Sequence, residues 1–106
     1  MDEAEQTYEA VTRELLLDED LDVDETPDGL LVRGRLFAFL DGSHLVVELP
    51  EARSADLRRR GIATAFSGAH GGPSRNWIRV GDRELWSELA HEAHEYVGEP
   101  PVGRES

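Results

Sequence analysis

A small α+β domain is what this sequence predicts, and three features predict it. Residues 36–49 carry two short apolar runs split by Asp41-Gly42-Ser43-His44, the mark of a β-hairpin. Residues 50–61 run from a proline to a glycine through a charged helical segment. A strand-like Asn76–Val80 carrying Trp77 then leads into an amphipathic C-terminal segment.

In chain order, residues 2–17 read as an amphipathic helix, because Ala4, Tyr8, Val11 and Leu15 recur at spacings of four, three and four. The run Asp18-Glu19-Asp20 ends this periodicity and places carboxylates at a helix C-terminus, where the dipole disfavours them, so fraying is expected there. Leu21 and Val23 alternate with Asp22 and Asp24 as in a half-exposed strand. Pro27-Asp28-Gly29 marks a turn. Leu30–Arg33 and Leu36–Leu40 are strand-like and are interrupted by Gly34, which points to a bulge or a sharp bend. Three or four antiparallel strands therefore come from this one local segment.

Pro50 starts the second helix and Gly61 ends it as a C′ residue, with Arg58, Arg59 and Arg60 in the last turn, where positive charge suits the dipole. Ile62–Phe66 reads as a short strand and Ser67–Ser74 as a loop. Asp82 caps the last helix, whose expected buried face is Leu85, Trp86, Leu89, Ala90, Ala93, Tyr96 and Val97. Residues 1–97 thus form one domain, followed by a flexible tail over 98–106.

With 106 residues the chain is expected to bury roughly 65% of its unfolded surface without staples. It has no cysteine, which excludes disulfides, thiolate metal sites and a cysteine nucleophile. No apolar run approaches a membrane span and the acidic N-terminus is unlike a signal peptide, so a cytoplasmic protein is expected. The net charge of −12 is uneven: residues 1–28 carry −11, residues 52–83 carry +5 and residues 84–106 carry −5. All eleven basic residues are arginine.

Motifs with catalytic meaning are weak. His91 and His94 are three apart, whereas the zinc-binding helix motif needs four, so a solvated helix face is the expected role. The loop Gly68–Arg75 lacks the lysine and the following helix of a phosphate-binding loop. A metal- or small-ligand enzyme using His70, His91 or His94 is the least favoured class; no catalytic residue, cofactor or metal is expected. Arg33–Phe39 faintly resembles the aromatic strand of RNA-recognition domains, but Arg35 stands where an aromatic belongs, so core packing of Phe37 or Phe39 is expected. The best functional candidate is basic: Arg53, Arg58, Arg59, Arg60, Arg75, Arg79 and Arg83, with His70 in the adjoining loop. If they share a face they meet a partner protein or nucleic acid; otherwise they pair with the acids of the first and last helices.

The order Gly34-x-x-Phe37-Ala38, Val46-Val47-Glu48-Leu49-Pro50, Arg53, Leu57, Gly61, Phe66, Gly71-x-Pro73, Trp77 and a terminal amphipathic helix resembles the MmcQ/YjbR-like and TfoX N-terminal-like proteins over residues 30–97. The resemblance implies a two-layer α+β fold with an antiparallel sheet of about five strands covered by helices, in the order α-β3-α-β2-α. It also implies a non-enzymatic DNA-binding or regulatory role without a cofactor. Glu48 stands where that family carries a lysine, and Gly72 and Ser74 flank Pro73 in place of an arginine and a methionine. Two of these changes remove positive charge, which favours a protein partner over DNA. The partner's identity and the oligomeric state are left open by the sequence.

Overall fold

The computed structural model describes residues 2–66 and 77–98. It is an α+β fold in which three helices pack on a six-stranded sheet. The strands are β1 (Val23–Thr26), β2 (Gly29–Val32), β3 (Arg35–Asp41), β4 (His44–Glu48), β5 (Ala63–Ala65) and β6 (Trp77–Val80). The helices are α1 (Glu3–Leu17), α2 (Glu51–Arg59) and α3 (Trp86–Gly98). Four strands, not three, precede α2, because residues 23–32 form a hairpin of their own. The spatial order is β1-β2-β3-β4-β6-β5, antiparallel throughout, so β6 inserts between β4 and β5. Among the described residues no helix is long and apolar enough to cross a membrane.

Local chemistry accounts for the turns. Thr26 organises the β1–β2 turn: its hydroxyl accepts from the amides of Asp28 and Gly29 and donates to the Gly29 carbonyl, at 3.2, 3.2 and 2.9 Å. Gly29 is required by space as well as by its φ of 143°, since a Cβ there would lie 2.5 Å from the Ala38 carbonyl oxygen. Gly34 belongs to the two-residue turn between β2 and β3, where Arg33 and Gly34 take φ of 54° and 81°, as a type I′ hairpin demands. The bulge lies elsewhere. Leu30 pairs with Ala38 and Leu31 with Leu36, which leaves Phe37 as the extra residue on β3.

The bulge decides which face each aromatic takes. Strict alternation would put Phe37 and Phe39 together. Instead Phe37 and Ala38 enter the main core, with Leu30, Leu45, Val47, Ile78, Val80, Leu15, Leu57, Trp86 and Leu89. Phe39 turns to the opposite face, where it clusters with Val46 and Trp77 and meets Leu36 and Phe66. Both tryptophans are buried, Trp77 at 3% and Trp86 at 0% exposure, but on opposite sides of the sheet. Trp86 donates from its indole N–H to the Val80 carbonyl at 3.0 Å, which ties α3 to β6.

Helix ends follow their residues. Asp2 caps α1 by accepting from the Glu5 amide at 2.8 Å. The acids after α1 do not fray: Asp18 accepts from the Asp20 amide at 3.0 Å and opens a 3-10 turn over Glu19–Leu21. The fixed carboxylate satisfies an amide of this next turn, and so offsets the dipole penalty expected from the sequence. Pro50 is the residue preceding α2 rather than its first, with its carbonyl accepting from Ser54 at 2.9 Å. The end of α2 is a Schellman motif. Ile62 donates to Leu57 at 3.0 Å and Gly61 to Arg58 at 3.1 Å, with Gly61 at φ 77°. Asp82 caps a 3-10 turn over Arg83–Leu85 that leads into α3. Tyr96, expected on the buried face of α3, is 38% exposed.

Candidate interaction surface

The candidate arginines among the described residues fall into four separate sites. On α2, Arg53 makes a two-pronged pair with Glu92 of α3: its Nε and Nη2 donate to Oε1 and Oε2, each at 3.0 Å. Glu88 lies 3.7 Å and Asp56 4.0 Å from the same guanidinium. The hydrogen bonds to Glu92, reinforced by the charges of Glu92, Glu88 and Asp56 against a smaller cost of burial, raise the Arg53 pKa above its ordinary value. Arg53 thus clamps α2 to α3.

The last turn of α2 is different. Asp56 accepts from Arg59 at 3.0 Å and from Arg60 at 3.2 Å, so one carboxylate serves both, while Arg53 stands at the edge of its reach. Arg58 is exposed, and no ion pair or side-chain hydrogen bond engages it among the described residues. Three successive guanidiniums therefore stand at a helix end whose dipole favours cations, and one carboxylate engages two of them. This is a compact excess of positive charge on a chain of net charge −12.

Arg79 is on the sheet face away from the helices, because β6 alternates Trp77 and Arg79 with the core residues Ile78 and Val80. Its Nε lies 3.3 Å from Asp41 Oδ2, at ion-pair distance but without an aligned hydrogen bond. Its Nη2 donates to His44 Nδ1 at 3.3 Å. A guanidinium only donates, so this contact puts the His44 proton on Nε2. Arg83 reaches Glu3 of α1 at 2.7 Å.

The seven sequence candidates are thus not one face. Arg58, Arg59 and Arg60 come together, Arg53 sits farther back on the same helix and is engaged by α3, and Arg79 is on the other side of the sheet. His70 and Arg75 lie outside the described residues. Pairing with acids of the first and last helices, the other arrangement expected, occurs at Arg83–Glu3 and Arg53–Glu92. Sequence reasoning missed Asp56 as the hub, although its spacing of three and four from Arg59 and Arg60 was readable. It had no signal for the Arg53–Glu92 pair, 39 residues apart.

The two histidines of α3 have structural partners. His91 Nδ1 donates to the Ser87 carbonyl at 2.8 Å, and His94 Nε2 donates to the Leu21 carbonyl beside α1. The His94 ring also stands edge-on to Phe37, with centroids 5.5 Å apart. Among the described residues no group of three or more His, Asp or Glu side chains is placed to hold a metal ion. A groove of about 410 Å³ runs along α3 past His91 and His94, but glutamates 14, 88, 92 and 95 line it.

Fold and side chains together define a two-layer α+β domain with a cationic helix end on a chain of net charge −12. No protein-family model, curated protein or solved structure matches the chain.

Proposed function

We propose that this chain is a small non-enzymatic binding or regulatory domain that captures an acidic segment of a partner protein at the C-terminal end of α2. The observation that carries the reading is the Arg58-Arg59-Arg60 turn, where Asp56 pairs with Arg59 and Arg60 and no acid among the described residues pairs with Arg58. A few carboxylates on a partner can meet these arginines without facing the rest of the surface. A nucleic-acid duplex is less well suited, since it carries a charge every ~1.7 Å and would be opposed by the net −12 of this chain. The likeness in residue order to MmcQ/YjbR and TfoX N-terminal proteins supports a binding role without chemistry, and its DNA-binding part is the competing version.

Fluorescence anisotropy with an oligo-glutamate peptide and with a short DNA duplex tests both. Binding of the peptide is expected at low salt, with a loss of about tenfold or more in an Arg58→Glu/Arg59→Glu/Arg60→Glu variant. Duplex binding that falls by orders of magnitude between about 50 and 200 mM salt would transfer the site to nucleic acid. Failure of both probes to associate overturns the reading.

A further inference from the structure

Among the described residues the sheet has two edges, β1 and β5, and they are built differently. On β1, Asp24 and Glu25 are exposed, Asp22 precedes them and Pro27-Asp28 follows. Charge and proline at an edge are the usual protection against pairing with another strand. The opposite edge, β5, is Ala63-Thr64-Ala65, without charge or proline, and Thr64 and Ala65 are exposed.

The register shows which backbone groups this edge offers. Phe66 donates its amide to the Trp77 carbonyl at 3.0 Å, in line with the pairing of Ala65 with Ile78 and Thr64 with Arg79. Hydrogen-bonded and non-hydrogen-bonded pairs alternate in an antiparallel ladder, so Thr64–Arg79 is also a bonded pair. The N–H and C=O groups of Ala63 and Ala65 consequently point away from β6, toward the outer edge. Ala63 is itself buried, at 5% exposure, so the exposed pair at this edge is the N–H and C=O of Ala65, one donor and one acceptor of the kind an added strand takes.

The cations sit at the start of this edge. Arg60 is separated from Ala63 only by Gly61 and Ile62, and the Schellman turn holds the end of α2 against the beginning of β5. We infer that the outer edge of β5 is a strand-addition site for an acidic, extended segment of a partner protein. The partner's backbone pairs with the exposed Ala65, and its carboxylates meet Arg58, Arg59 and Arg60. The inference rests on the acidic-partner reading above and adds the mode of binding. A second copy of the chain is the weaker occupant, because two molecules of net charge −12 repel. Nucleic acid has no amide ladder to offer.

The test uses the full chain and a labelled peptide of alternating valine and glutamate, read by anisotropy at low salt. Methylating the peptide's amide nitrogens at every second residue blocks one edge of its ladder without changing its charge. One of the two alternating methylation patterns is expected to weaken binding about tenfold or more, and the other to be tolerated. Ala65→Pro removes an outward N–H while sparing the β5–β6 bonds, so it is expected to weaken binding similarly with an unchanged circular dichroism spectrum. If that variant fails to fold, the methylated peptides on the native protein decide. Binding that depends on Arg58–Arg60 but ignores both methylation patterns overturns strand addition and leaves the acidic-partner reading standing. No peptide binding at all overturns both. A wild-type dimer in ultracentrifugation, dissociated by Ala65→Pro and indifferent to the peptide, assigns the edge to a second copy and overturns the inference.

Discussion

Trp86→Phe and Trp77→Phe make the same chemical change in two differently satisfied sites, so comparing them isolates a single hydrogen bond. Both side chains are buried, at 0% and 3% exposure, and both substitutions remove a similar piece of ring from a packed cluster. The packing loss largely cancels in the comparison. At Trp86 the change also removes the indole N–H that donates to the Val80 carbonyl at 3.0 Å. That loss costs ~0.5–1.5 kcal/mol, with ~1–3 kcal/mol more wherever the buried carbonyl is left without a partner. At Trp77 the indole N–H is buried and has no hydrogen-bond partner among the described residues. Phenylalanine there removes an unsatisfied donor and recovers part of its ~1–3 kcal/mol desolvation cost. Trp86→Phe is therefore expected to be the more destabilising by about 2 kcal/mol. Urea unfolding followed by far-ultraviolet circular dichroism reads this directly: with slopes of ~1–3 kcal/mol per molar, the two midpoints should differ by about 1 M. Equal midpoints, or a lower one for Trp77→Phe, would refute the reasoning.

Two further outcomes follow from the charge network and from α1. Arg53 and Glu92 are two-thirds buried and doubly bonded, whereas Arg83 and Glu3 are 45% and 77% exposed. A double-mutant cycle to alanine should give the first pair a coupling of about 1 kcal/mol and the second a coupling near zero, and equal couplings would contradict the clamp. Burial, with the Glu25 carboxylate adding to it, pushes the Tyr8 phenol from its ordinary 10.0 up to about 12. Between these values the unfolded chain has lost the proton and the folded chain keeps it, so stability present below pH 10 is lost as pH rises toward 12. Tyr8→Phe should flatten that part of the urea-midpoint profile; an unchanged slope would place the loss elsewhere.

Much of the architecture could be read from residue order because it rests on local chemistry. The Pro50–Gly61 helix, the Asp41–His44 hairpin and the apolar stripe of α1 each need only neighbours within a few positions. The same holds for the cationic last turn of α2, where arginines gather at a helix end that favours them.

Other features arise only when distant segments meet. Whether Phe37 and Phe39 share a face depends on a bulge set by the pairing of β2 with β3, not on alternation along β3 itself. The capped turn at Asp18–Asp20 is the local exception: a side chain finds an amide two residues on, which charge counting alone does not reveal. Arg53 and Arg79 look like members of the same cluster in the sequence. Glu92 takes the first and β6 turns the second to the far side of the sheet. The chain by itself determined which helices and turns form, since those free energies are local. The packed sheet decided which of the described arginines pair with distant acids and which strands lie at its edges among the described residues, since both follow from pairings across tens of residues.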